Sequence, residues 1–270
     1  MKLNFGVRLP VSGPLASKRI ILAMGEAADE LGFDAVTTHD HVSFSYQERY
    51  HNAGGVAELV DEADKQGIPV TSNFETMTTL ALVAGKSQNV RLVPCSAVLP
   101  IRHPVLFAKQ SVTLFELSGG RFVLNVCIGN IKSDFDAMGV PLKLRGRMTD
   151  EYMQVIRLML SEQKQVSYQG KYIKFPPSEF YPKPLSKMPF WFSGHFNDIV
   201  LERVAKYCDG LLAGSSFPDE FGKWVPKLEQ RLKEHGRTLP EVEVGVQTFL
   251  CISKDPEAAK RTSRRPTSAA

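Results

Sequence analysis

Three consecutive polar residues, His39-Asp40-His41, close an apolar run that reads as a strand, Ala35–Thr38. Alternate residues of a strand share a face, so the two histidines point the same way. They could grip one divalent metal, or one of them could move a proton. His195, after another strand-like run, completes a candidate three-histidine set with His39 and His41 that would suit a metal-dependent hydrolase. The plainer reading is a polar, hydrogen-bonded strand end without metal. Ser193-Gly194-His195 joins a strand to a helix through small residues, as a turn does when helix N-terminal N–H groups approach a phosphate. Any capped strand-to-helix turn has a similar composition. Cys127, two residues before Gly129, is either a thiol beside a ligand or a small buried hydrophobe. No GxSxG elbow is present and no cysteine has an evident histidine partner, so acyl-transfer hydrolysis has no support.

These residues need elements to position them. Seven β-branched or aromatic runs read as strands: Leu3–Leu9, Ala35–Thr38, Val90–Leu99, Phe122–Ile128, Pro189–Ser193, Gly210–Ala213 and Val242–Ser253. Helical spacing separates them. Ile20, Met24, Ala27 and Leu31 form an apolar stripe that Gly32 can end, and Pro104 suits the first position of a helix through Leu117. Further helices are expected over Glu75–Ser87, Arg145–Ser161, Asn197–Cys208 and Pro218–His235. Strand-then-helix alternation implies a parallel sheet. With no GxGxxG and no Walker loop, a TIM-type (β/α)8 barrel is favoured over a doubly wound nucleotide-binding sheet. Two stretches interrupt the rhythm: Ser43–Ser72, a long loop on the functional face, and Gln165–Pro184, an insertion with a hairpin turn at Tyr168–Tyr172.

The eighth βα unit is not evident. Residues 1–253 read as the barrel domain, whereas 254–270 begin with a helix start and end as a basic, low-apolar tail, RTSRRPTSAA. That ending is expected to be a truncated or altered C-terminus of an unclosed barrel. The chain of 270 residues carries 33 Lys+Arg against 29 Asp+Glu, a net charge of +4, and much of that excess belongs to the tail. Nucleic acid is therefore not an expected partner. The four cysteines (Cys95, Cys127, Cys208, Cys251) lie far apart, no signal peptide opens the chain, and no apolar run approaches the ~18 residues of a membrane span. A reduced, cytoplasmic protein without membrane contact is expected.

Several stretches carry a resemblance to a known family: EAADELGFDAVTTHDHV, VLPIRHPVLFAKQSVTLFELSGGRFVLNVCIG, DFDAMG, YQGKYIKF, and PFWFSGH leading to VAKYCDG. In this order the chain resembles the luciferase-like monooxygenases, flavin- and deazaflavin-dependent barrel enzymes that include bacterial luciferase. The resemblance covers almost everything up to residue 253, and RHP…LSGGRF is its most specific part. It implies an oxidoreductase that uses reduced FMN or a reduced 8-hydroxy-5-deazaflavin coenzyme, and no metal, on a small organic substrate. It places His41 as the proton-transfer group with Asp40 tuning it, and His39 beside the cofactor. It also implies a non-proline cis peptide at Cys95-Ser96 behind the ring, Cys127 and Gly129 at the ring edge, and Ser193, Gly194 and His195 on the phosphate. Asn130 stands where the family often has Trp or Glu, so it can hydrogen-bond but cannot stack or supply a proton as they do. Expected partners are a flavin or deazaflavin reductase and a second copy in a homodimer. An incomplete, non-catalytic flavin-binding relative is the remaining alternative.

Overall fold

The computed structural model describes residues 3–13, 15–43, 73–214, 218–248, 250 and 252–263. The long loop expected over Ser43–Ser72 therefore lies, beyond Ser43, outside the described residues. Ten strands are present among the described residues: β1 (Gly6–Arg8), β2 (Ala35–Thr38), β3 (Arg91–Pro94), β4 (Ala97–Val98), β5 (Leu124–Cys127), β6 (Gln165–Gln169), β7 (Lys174–Glu179), β8 (Phe190–Gly194), β9 (Gly210–Ala213) and β10 (Glu243–Val246). β6 and β7 pair antiparallel, as the hairpin turn leads one to expect.

The other strands pair in parallel in chain order. β1 pairs β2 and β2 pairs β3, while β4 pairs β5, β5 pairs β8, β8 pairs β9 and β9 pairs β10. Leu92 and Val123 join β3 to β5 through the backbone, so β3 and β4 are two halves of one barrel strand. The peptide between those halves, Cys95-Ser96, is cis, at the position implied by the resemblance. The result is an α/β fold of seven parallel strand positions around a lumen. Among the described residues β1 and β10 each have a ladder neighbour on one side. Leu3, Phe5, Val246 and Leu250 are exposed near those two edges.

Helices cover the outside: α1 (Lys18–Glu30), α2 (Thr76–Ala84), α3 (Pro104–Leu117), α4 (Lys132–Ala137), α5 (Arg145–Leu160), α6 (Asp198–Tyr207), α7 (Pro218–Glu234) and α8 (Pro256–Ser263). Strand residues alternate strictly between this helical layer and the lumen. Val36, Leu92, Leu124, Phe190, Phe192 and Leu211 point outward into the buried core. Arg91, Trp191 and Glu243 point inward and form the floor. Arg91 bonds Glu243 at 2.9 Å and lies over the Trp191 ring. Trp191 fits because Gly210 on the next strand has no Cβ; one would lie 2.4 Å from the indole.

The first strand is shorter than Leu3–Leu9, the third is split in two within Val90–Leu99, and two further elements differ from expectation. The last strand stops at Val246 rather than Ser253, because its neighbour β9 ends at Ala213, whose carbonyl takes the final bond from Gln247. The buried face of α1 is Ile21, Gly25 and Ala28, one residue on from the apolar stripe, and Leu31 is exposed. Gly25 decides the face: a Cβ there would stand 2.9 Å from Val83, so α1 and α2 pack closely only through this glycine.

Candidate active site

The C-terminal ends of the parallel strands form the mouth of the lumen, where barrel enzymes place their chemistry. By strand alternation Arg8, His39, Cys95, Cys127, Ser193, His195 and Gln247 share the lumen side. The His39 and His41 rings lie 5.8 Å apart. Cys95 donates weakly to the Gln247 side-chain oxygen at 3.6 Å, and Cys127 donates weakly to the Ser96 carbonyl at 3.8 Å. Strands β2, β3/β4, β5 and β10 thus meet at one rim.

His41 is held from an unexpected direction. Its Nδ1 lies 2.9 Å from Oδ2 of Asp134, whose side chain is 1% exposed. The other oxygen of Asp134 accepts from the backbone N–H groups of Val42 and Ser43 at 2.7 and 2.8 Å. An ionised carboxylate only accepts, so Nδ1 carries the hydrogen, and in the neutral ring Nε2 is the acceptor. Asn73 donates to the His41 carbonyl and Ser133 to the Ser43 carbonyl, so α4 and the residues before α2 fix the exit from β2.

Asp40 does not tune His41. Neighbouring strand residues face opposite sides, and Asp40 points out to the helical layer. There Arg102 donates to both its oxygens, at 2.6 and 3.2 Å, and the Val98 N–H donates at 2.8 Å. Arg102 also donates to Glu75, which caps α2. Burial works against the Arg102 charge, but Asp40 and Glu75 outweigh it and raise its pKa. Asp40 therefore anchors the strand segment after the cis peptide.

The remaining candidates divide. Among the described residues the buried His39 Nδ1 makes no hydrogen bond, although the Asn73 side chain stands close enough to favour the charged ring. Burial, then the nearby Arg8 and His41 charges, push its pKa down to about 3, so the ring is neutral near pH 7. Burial pushes Cys95 up to about 11, against the pull of Arg8, and Cys127 up to about 12. Both are thiols, not thiolates, at neutral pH. Gly129 has φ +70°, and a Cβ there would fall 2.5 Å from Val98 and 3.0 Å from Phe135. Asn130 is exposed. Ser193 donates to Asn125, which in turn donates to the Pro94 carbonyl, a polar thread along the wall from β8 through β5 to β3. Gly194 packs closely on Val200 of α6, and Asn197 caps that helix by accepting from the Val200 N–H. His195 lies beside Gly214 at the end of the next strand.

Asp134, Asn125, Arg102 and Arg8 have no role in the sequence reading. Asp134 is visible there only as part of DFDAMG, and Arg102 only as part of RHP. Among the described residues no three His, Cys, Asp or Glu side chains form a group able to hold a metal ion. The His39/His41/His195 hydrolase alternative is thus left without a site, and the Nδ1 of His41 is already engaged.

A family model described as luciferase-like monooxygenase matches residues 5–269. The chain belongs to the luciferase-like monooxygenase family. This luciferase-like chain is 30% identical over 226 residues to 5,10-methylenetetrahydromethanopterin reductase of Methanopyrus kandleri, covering 76% of the chain and 64% of the relative. It thus spans less than two thirds of that relative's length. It shares its fold with the coenzyme F420-dependent tetrahydromethanopterin reductase from Methanopyrus kandleri (TM-score 0.73, 26% identity, 96% of this chain and 69% of the other). An F420-dependent secondary alcohol dehydrogenase, bound to an F420-acetone adduct, matches in fold with TM-score 0.79 at 21% identity, over 98% of this chain and 74% of the other. No helix among the described residues is long and apolar enough to cross a membrane.

Proposed function

We propose that the chain is an oxidoreductase that works on a small organic substrate with a reduced deazaflavin coenzyme at the lumen mouth. The observation that carries this reading is the His41–Asp134 pair at the rim of the lumen. The residues present fit a polar ring system: the buried His39 Nδ1, which makes no hydrogen bond among the described residues, offers it a polar contact. Bound there, the coenzyme would supply hydride chemistry. His39, Ser96, Cys127 and Gly129 would hold the ring, with Ser193, Gly194 and His195 at the end that carries the phosphate. Asn130, exposed just beyond Gly129, would border it.

His41 moves the proton. Asp134 fixes the ring orientation and keeps hydrogen on Nδ1, so Nε2 exchanges a proton with the substrate atom next to the reacting carbon. Neutral His39 and the protonated thiols themselves add no charge to the surface around the ring. Asp40 and Arg102 hold the strand segment on which the ring would rest.

Deazaflavin is favoured because the reductase at 30% identity has a counterpart of the same organism described as F420-dependent. Reduced FMN with oxygen is the second reading, favoured by the family's monooxygenase description. Titration of the 270-residue chain with each cofactor, oxidised and reduced, followed by fluorescence quenching, separates the two. Deazaflavin is expected to bind at least about tenfold more tightly than FMN, a difference of about 1.4 kcal/mol. The reverse order would install the second reading, and failure of both cofactors to bind would overturn the proposal.

A further inference from the structure

Among the described residues the upper lumen holds a cation, Arg8, that the chemistry above does not use. Arg8 ends β1, paired in register with Thr37 of β2. Val7 and Leu9 on either side turn towards the helical layer, where Leu9 is 1% exposed, so Arg8 turns inward. Arg8 is exposed, and the two groups that feel its charge, the His39 ring and the Cys95 thiol, are neutral near pH 7; the Gln247 amide bonds that thiol. Among the described residues no carboxylate pairs with it. The floor guanidinium of Arg91 has Glu243, and in the helical layer Arg102 has Asp40, Arg157 has Asp209 and Arg203 has Asp150. An arginine facing a concave, uncharged site presents a planar fork of N–H donors that matches a carboxylate in two-point contact.

We propose that Arg8 selects the substrate class of this site by holding a carboxylate of the substrate at the lumen mouth. This deepens the oxidoreductase reading and rests on it for the word substrate. The phosphate turn proposed for the cofactor is on β8, four strand positions away in the sheet, so the cofactor phosphate is not the anion that meets Arg8. The remaining competitor is the negative charge that a reduced flavin or deazaflavin ring carries on its pyrimidine edge. Partial burial already lowers the Arg8 pKa, which a bound anion would offset.

The test compares butyrate and benzoate with their neutral amides, butyramide and benzamide. Calorimetry is run on the cofactor-free chain and again with oxidised or reduced deazaflavin present. The wild type is expected to prefer each carboxylate to its amide by about tenfold or more, about 1.4 kcal/mol. Arg8→Gln is expected to erase that preference and Arg8→Lys to keep part of it. Both variants should keep the wild-type circular dichroism and bind both forms of the cofactor within about twofold. Equal binding of acid and amide by the wild type, or a preference that survives Arg8→Gln, overturns the proposal. So does a selective loss of reduced-cofactor binding in Arg8→Gln, which assigns the cation to the ring. A chain that binds neither cofactor yet prefers carboxylates would remove the oxidoreductase reading and leave the Arg8 site standing.

Discussion

At the scale of the residue, the site depends on which side of a strand each group faces. His41 and Asp40 are neighbours in sequence but serve different layers. His41→Ala is expected to lower kcat by about 10²–10⁴-fold with a small effect on cofactor affinity. Asp134→Asn, which can present an N–H to the ring and select the other tautomer, should lower kcat by about 10²-fold or more. Steady-state kinetics beside cofactor titration check both. Arg102→Ala leaves Asp40 as a buried carboxylate without its cation and should cost about 3–5 kcal/mol of stability, read by urea denaturation. His39 makes a pH prediction. Its folded pKa is about 3 against an ordinary 6.5, so the unfolded chain binds the extra proton between those values. Stability therefore falls as pH drops below 6.5, and His39→Gln should flatten that part of a plot of Tm against pH. Strand alternation in the sequence already puts both histidines on one face. The partners Asp134 and Arg102 are not legible, because they come from 93 and 62 residues further along the chain and only folding brings them close.

At the scale of the element, the motifs that carry the family resemblance turn out to be joints. Arg121 of LSGGRF donates to carbonyls of Ala84, Ser87, Val90 and Ser118 and to the Ser87 hydroxyl, tying the ends of α2 and α3 to the start of β3. Gly119 and Gly120, both at positive φ, make the turn that delivers it. Helices α3 and α5 begin at the positions the sequence suggests, because proline and apolar spacing are local signals. The end of β10 and the packed face of α1 are not local. The first depends on where a neighbouring strand stops, the second on a glycine that fits one valine. The same logic applies at the turn after β5. Gly129→Ala must adopt φ +70° and push into Val98, and should cost about 2 kcal/mol or more. Thermal unfolding reads that loss, and the cofactor titration should weaken with it.

At the scale of the whole molecule, the chain presents parallel strands whose two outer edges, β1 and β10, are unpaired among the described residues, with Phe5 and Val246 exposed beside them. Unpaired backbone beside apolar side chains templates further pairing. Light scattering of the 270-residue chain should show concentration-dependent self-association, reduced by Phe5→Lys and Val246→Lys. A concentration-independent monomer would contradict this.

The floor ion pair has a mechanical consequence. Arg91 and Glu243 belong to strands that are not neighbours, so their bond is a spoke across the ring rather than a stitch along its rim. Cys95 and Gln247 place a second, weaker spoke between the same two segments, one storey higher and at the mouth itself. Both spokes tie the sheet that contains β3 to the sheet that contains β10 through side chains, in addition to the backbone bridge at Leu92. The lower one is partly bathed in solvent and yields to added salt. Added salt is thus expected to weaken the lower spoke and leave the neutral Cys95–Gln247 contact as the remaining side-chain tie at the mouth.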